Sequence, residues 1–175
     1  TLERMSNGIG DISKNTLSDL KQLKIGNKFQ IPTLEEVLDL INKKCLLNIE
    51  LKGQHTAYET CRVIEKYVKN NIWSHSDFLV SSFQKNELEE VYKTNKNIPL
   101  AILTAAGIND AIEFAETIDA KAIHPNYFLL NSKNVIEAQE KGFKVNTWTV
   151  NDEQTIKRMK LYGVDAIISD FPDRI

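Results

Sequence analysis

The scarcities of this sequence narrow the field first. It holds only two cysteines, Cys45 and Cys61. Their separation matches neither a metal-ligand spacing nor a C-x-x-C pair, so a disulfide framework is not expected. Cys61 falls at an apolar helix position and reads as a buried thiol. No apolar run is long enough to cross a bilayer. No Lys/Arg tract stands out, and the net charge is -2, so neither a nucleic-acid partner nor a charged tail is indicated. Gly-rich loops of the G-x-G-x-x-G or P-loop type are absent, which weighs against a dinucleotide-binding sheet. Nothing resembles a Ser-His-Asp arrangement. The chain opens on Thr1 and structured-looking sequence, compatible with a removed leader or with none, and so with a cytoplasmic, periplasmic or secreted protein.

What is present is an alternation of short apolar runs with amphipathic helices, the rhythm of βαβ units around a parallel sheet. Six strands are predicted: Leu46–Lys52, Phe78–Phe83, Ile98–Leu103, Ala122–His124, Lys144–Val150 and Ala166–Ser169. Thr33 and Glu36 form a capping box after Pro32, followed by the stripe Leu34, Val37, Leu38, Ile41. A helix over Ala57–Lys69 sets Ala57, Cys61, Ile64 and Val68 on one side. Another begins over Glu87–Tyr92, with Leu88, Val91 and Tyr92 apolar. Asn109 is expected to cap a helix holding Ala111, Ile112 and Ala115. Ser132 is expected to open one with Val135 and Ile136 buried. Asn151 with Gln154 reads as a second capping box, and Gly142 and Gly163 as helix stops. The first 30 residues read as a loop and a short helix, Thr16 to Leu23, without strands. The architecture expected is an α/β, (β/α)₈ TIM barrel showing six of its strands, with the first two missing from the front.

Chemistry concentrates on the strand Leu46–Lys52. Alternation places Leu47, Ile49 and Leu51 toward the helices and Asn48, Glu50 and Lys52 into the barrel. Barrel active sites lie at the C-terminal strand ends, where Glu50 and Lys52 fall. A carboxylate there suits a hard cation and an ammonium suits a phosphate oxygen; a buried ion pair that only shapes the barrel is the competing reading. On the strand starting at Lys144, Asn146 and Trp148 share a face, with Trp148 placed either to wall a pocket or to pack the barrel. Ser82, His124 and Asp170 each stand at a strand end and could line the same mouth. His124 has no visible partner and reads as a hydrogen-bonded structural residue before it reads as an acid or base. Asp170 reads as a turn-former.

Several of these segments together resemble the glycerophosphodiester phosphodiesterases. Thr1-Leu2-Glu3-Arg4 with Ser6-Asn7-Gly8-Ile9-Gly10 is similar to the segment that follows the family's His-Asp motif. Ile31 to Leu38 and then Leu47-Asn48-Ile49-Glu50-Leu51-Lys52-Gly53 resemble its internal signature. Ser81-Ser82-Phe83, Trp148-Thr149-Val150-Asn151 and Gly163 to Asp173 follow in order and spacing. The resemblance implies a metal-dependent hydrolase that converts glycerophosphodiesters, such as glycerophosphocholine, to an alcohol and glycerol 3-phosphate in glycerophospholipid metabolism. It implies Glu50 as a ligand of a divalent cation, Ca²⁺ or Mg²⁺. It implies Lys52 as a phosphate contact and Trp148 as the glycerol-side wall.

The departures belong beside the matches. The family's His-Arg pair, two further acidic ligands and its His-Asp would all precede Thr1, and none of His55, His75 or His124 falls at a matching position. No catalytic residue is therefore assigned. Residues 1–175 are expected to be one phosphodiesterase domain, incomplete at its N-terminus, with little activity alone and a tendency to self-associate through open barrel edges. Two alternatives stand: a non-catalytic fragment or a barrel completed by a partner chain, and a related barrel phosphodiesterase acting on lysophospholipids or phosphoinositides. The second would need apolar loops at the barrel mouth, and the sequence shows none that is large.

Overall fold

A computed structural model describes residues 1–70 and 73–175. They divide into two compact units, 1–45 and 46–175.

The first unit is built from caps and turns. Helix α1 (Leu17–Gln22) starts at Thr16 in a capping box with Asp19. Helix α2 (Leu34–Ile41) starts at Thr33 in the expected box with Glu36, and Asn42 ends it in the left-handed conformation. Each box satisfies orphan N–H groups of the first turn. Between the helices lies a feature not expected from the sequence: strands β1 (Lys24–Ile25) and β2 (Phe29–Gln30) pair as an antiparallel hairpin. Two-residue strands carry too short an alternation to read as such. At Gly8 a Cβ would stand 2.6 Å from Leu23 Cδ1 and 3.2 Å from Leu2 Cβ, so a larger residue there would require the Leu23 side chain to shift.

The second unit is the parallel sheet. Its strands are β3 (Leu47–Glu50), β4 (Phe78–Ser82), β5 (Leu100–Thr104), β6 (Ala122–Pro125), β7 (Lys144–Thr147) and β8 (Ala166–Ile167), hydrogen-bonded in that order. Each parallel step is bridged by a helix: α3 (Ala57–Lys69), α4 (Lys85–Thr94), α5 (Ile108–Thr117), α6 (Ser132–Glu140) and α7 (Glu153–Tyr162). All six expected strands are present, trimmed by a residue or more at several ends. The sheet is curled: Leu47 of β3 and Ala166 of β8 line one cavity of about 490 Å³. It is a half-barrel.

Register assigns its faces. Glu50, Ser81, Ala101, Ala122 and Lys144 are successive cross-strand partners and so share a side. Alternation adds Asn48, Leu79, Leu103, His124 and Asn146. Several of these line the cavity, which makes this side the concave one. The opposite side holds Val80, Leu100, Ile102, Ile123 and Val145, all buried. Leu88 and Val91 of α4, Ala111 and Ile112 of α5, and Val135 and Ala138 of α6 are buried too.

Helix boundaries correct three expectations. Gly107, not Asn109, stands at the cap of α5, without a side-chain cap hydrogen bond; Thr104 Oγ1 accepts from the backbone N–H of Ala106 and Gly107 in the loop that precedes the helix. Asp152, not Asn151, caps α7 by accepting from Thr155 N at 2.9 Å. Both residues of Asn151-Asp152 are good caps, and sequence alone cannot choose between neighbours. Ser132 opens α6 as expected, behind a capping box of Asn131 with Asn134, but Ile136 lies outward at 50% exposure and Ala138 is buried beside Val135. Gly142 and Gly163 follow their helices at φ 89° and 76°, the left-handed stop that glycine adopts without strain.

Candidate active site

β3 delivers the expected pair to the C-terminal edge of the concave face. Lys52 Nζ lies 3.4 Å from Glu50 Oε2, with the two side chains 67% and 30% exposed. The pair is therefore made, but it is not the buried pair weighed from the sequence. Exposed to water, it adds little to stability, and its groups stay open to a ligand.

Trp148, just past β7, stands on the same side as Asn146. Its indole N–H donates to the carbonyl of His124 at 2.7 Å, and its ring meets Phe83 edge-on at 5.4 Å. With the N–H consumed by backbone, Trp148 offers a ligand its ring face and edge only. That suits C–H groups or a cation.

His124 is 1% exposed. Burial pushes its pKa down to about 4, so the ring is neutral at pH 7. Asn146 Nδ2 stands 3.0 Å from His124 Nε2. With the amide as donor, Nε2 accepts and the ring proton sits on Nδ1. Its burial and its contact with Asn146 accord with the hydrogen-bonded structural reading of this residue.

Ser82 and Asp170 do not join this face. Ser82 Oγ donates to Leu51 O at 2.7 Å and accepts from Gln84 N at 2.9 Å, on the side opposite Glu50. Asp170 is exposed and tied to Asn151, whose Oδ1 accepts from Asp170 N and whose Nδ2 donates to Asp170 Oδ2. Asn151 is thus a loop clasp rather than a helix cap. The residue that does join the face is Ser81, one position from Ser82. It is fully buried and pairs in register with Glu50. Strand parity alone could have selected it.

The carboxylates do not form a cation site by themselves. Glu50 would supply one ligand, and it already stands beside an ammonium. Among the described residues no three His, Cys, Asp or Glu side chains come together. A hard cation takes about six oxygens or more, so Glu50 alone does not meet its needs.

The cysteines and histidines outside this face are structural or exposed. Cys61 is buried as expected, its thiol pushed up to about 11 by burial and then by Glu65 and Glu90. Cys45 is exposed. His75 Nε2 pairs with Glu65 at 2.6 Å, just before the N-terminal end of β4 and so at the other end of the strand from Ser81 and Ser82.

Comparison with known proteins agrees with this arrangement. A family model, the glycerophosphoryl diester phosphodiesterase family, matches residues 1–174. A glycerophosphodiester phosphodiesterase of Caldanaerobacter subterraneus subsp. tengcongensis is 32% identical over 100% of this chain and 75% of its own length. One from Bacillus altitudinis is 36% identical over 99% of this chain and 75% of its own. The solved structure of an Oleispira antarctica phosphodiesterase in complex with the product sn-glycerol-3-phosphate superposes with TM-score 0.86 at 29% identity, over 99% of this chain and 74% of that one. The ordered segments, the half-barrel and the strand-end pair thus find one common explanation: this chain belongs to the glycerophosphoryl diester phosphodiesterase family of phosphoric diester hydrolases.

Proposed function

We propose that residues 1–175 form part of a domain that hydrolyses glycerophosphodiesters, such as glycerophosphocholine or glycerophosphoethanolamine, in glycerophospholipid metabolism. The observation that carries this is the open Glu50–Lys52 pair at 3.4 Å, on the face that also presents the indole of Trp148. Lys52 is a point charge for a phosphate oxygen. Trp148 packs the C–H groups of a glycerol. Glu50 contributes one ligand to a divalent cation, Ca²⁺ or Mg²⁺, which would polarise the phosphodiester when bound. The remaining ligands are not among the carboxylates of this face. Because one carboxylate binds such a cation weakly, the chain alone is expected to hydrolyse glycerophosphocholine at the background rate.

The test is a titration of the chain with sn-glycerol 3-phosphate by nuclear magnetic resonance. Weak binding is expected, with shifts at Lys52 and at the Trp148 indole. Lys52→Met should weaken it at least fivefold. Equal binding by the variant would overturn the role of Lys52, and rapid hydrolysis of glycerophosphocholine by this chain would overturn the expectation of inactivity.

One observation favours a second reading. The loops after β4, β6 and β8 carry Phe83, Phe128 and Phe171, which are 49%, 77% and 40% exposed. No large apolar loop is visible along the chain because these residues are scattered singly in it. Exposed rings at strand ends suit a substrate with an acyl chain, such as a lysophospholipid. Comparing substrates with and without the chain separates the two readings.

A further inference from the structure

The backbone that carries Lys52 is held by side chains rather than by the sheet. The last register pair of β3 is Glu50 with Ser81, and Leu51 N–H donates to Ser81 O at 2.8 Å. Past that point the loop up to α3 turns to one short stretch at the junction of β4 and α4. Ser82 Oγ donates to Leu51 O at 2.7 Å. Gln84 Nε2 donates to Lys52 O at 2.7 Å. The Glu87 carboxylate accepts from the backbone N–H of His55, Thr56 and Ala57. Gly53 O is bonded from within the loop, by Thr56 Oγ1 at 3.0 Å.

Two features set these ties apart from ordinary loop packing. His55 stands at φ 60°, a left-handed conformation that a residue with a Cβ keeps only where its surroundings enforce it. Gln84 occupies the N-cap position of α4 yet makes no cap hydrogen bond there. That position favours short side chains that reach back to the N–H groups of their own helix. The longer amide of Gln84 reaches away from its helix, to the one carbonyl that belongs to Lys52. Between Ser82 and Gln84, Phe83 meets the Trp148 ring edge-on at 5.4 Å. One junction thus touches the backbone of Lys52 and the ring of Trp148.

We propose that Gln84 is a positioning residue for Lys52: by fixing the Lys52 carbonyl it sets where the ammonium stands beside Glu50 and holds it ready for a phosphate oxygen. This rests on the reading of Lys52 as the phosphate contact. A lysine ammonium rides on a flexible four-carbon stem. Anchoring the backbone at its root narrows the range of that stem, so that less freedom is lost when an anion binds. Ser82 and Glu87 hold the flanks of the loop, but both are buried and serve the fold as well. The Gln84 bond is exposed, so its loss acts on the loop and leaves global stability nearly unchanged. Gln84 touches no reacting atom and acts through Lys52.

The test uses the full 175-residue chain, labelled with ¹⁵N. Gln84→Met keeps the length of the side chain and removes the donor; Gln84→Glu is isosteric and has no donor at pH 7. In the free chain, amide relaxation at Lys52 and Gly53 should show larger-amplitude motion in both variants, with His55 to Ala57 still ordered and the urea midpoint unchanged. Unaltered order at Lys52 and Gly53 overturns the proposal, whatever binds. The parent, Gln84→Met, Lys52→Met and the double variant are then titrated with sn-glycerol 3-phosphate. Gln84→Met should bind about threefold more weakly than the parent, and should add no loss on the Lys52→Met background, because its effect passes through the ammonium. An equal loss on both backgrounds shows that Gln84 acts without Lys52 and overturns the proposal. A Lys52→Met chain that binds as tightly as the parent counts against the phosphate contact itself and removes the binding role of Gln84 with it; loop order in the free chain is a separate readout and tells the two failures apart.

Discussion

Burial sets the charge of His124, and its consequence for stability has a definite sign. The folded-state pKa is pushed down to about 4 from an ordinary 6.5. The unfolded chain therefore takes up a proton between those values that the folded chain does not. The full contribution is present above pH 6.5 and is lost as pH falls toward 4, by as much as about 3 kcal/mol for a shift of this size. Urea midpoints measured between pH 4.5 and 7.5 should fall on acidification in the parent chain, and this part of the slope should vanish in His124→Asn. An unchanged slope would mean that the ring is not desolvated. At this scale the sequence exposed Glu50, Lys52 and Trp148, because strand parity and strand ends are readable from a run of residues. It did not reveal the state of His124, since a pKa depends on neighbours brought in from β5 and β7.

At the scale of elements, helix starts depend on partners as well as on local letters. The first N–H groups of α3 are held from another helix. Thr56 precedes α3 without a side-chain cap. In its place the Glu87 carboxylate of α4 accepts from the backbone of His55 at 2.6 Å, Thr56 at 2.9 Å and Ala57 at 2.9 Å, and from the Thr56 hydroxyl. Burial pushes the Glu87 pKa up, but these donors outweigh it and hold the carboxyl below its ordinary value. A depressed carboxylate stabilises the fold above its ordinary pKa, and that stability is lost as pH falls through the folded value. Glu87→Gln should destabilise the chain at pH 7 by about 1–3 kcal/mol, and the difference from the parent should shrink in acid. A chemical denaturation series at pH 7 and pH 4 checks both statements. From sequence, Glu87 reads as an ordinary acidic residue in the first turn of its own helix. The boxes at Thr33 and Thr16 differ in kind, because each is closed within four residues.

For the whole molecule, the sheet edges matter most. Within the second unit β3 and β8 each have one sheet neighbour, and nearby apolar side chains are open to solvent, with Leu46 75% and Ile168 36% exposed. Unpaired edges beside apolar surface favour pairing with a second strand. Sedimentation velocity over a hundredfold concentration range should show association that rises with concentration and is reduced by Leu46→Lys. A monomer at all concentrations would exclude edge pairing. No described helix is long and apolar enough to cross a membrane.

The sequence by itself determined the order of elements, the parallel sheet and the residues that mark the family. Each depends on alternation, caps and ordered motifs, which are properties of neighbours along the chain. The tertiary structure alone decided that Asn151 clasps Asp170 instead of capping α7, that Trp148 gives its N–H to His124, and that the Glu50–Lys52 pair stays open to water. These outcomes depend on register and curl, which bring together groups many residues apart and set whether each is desolvated, partnered or free to meet a ligand.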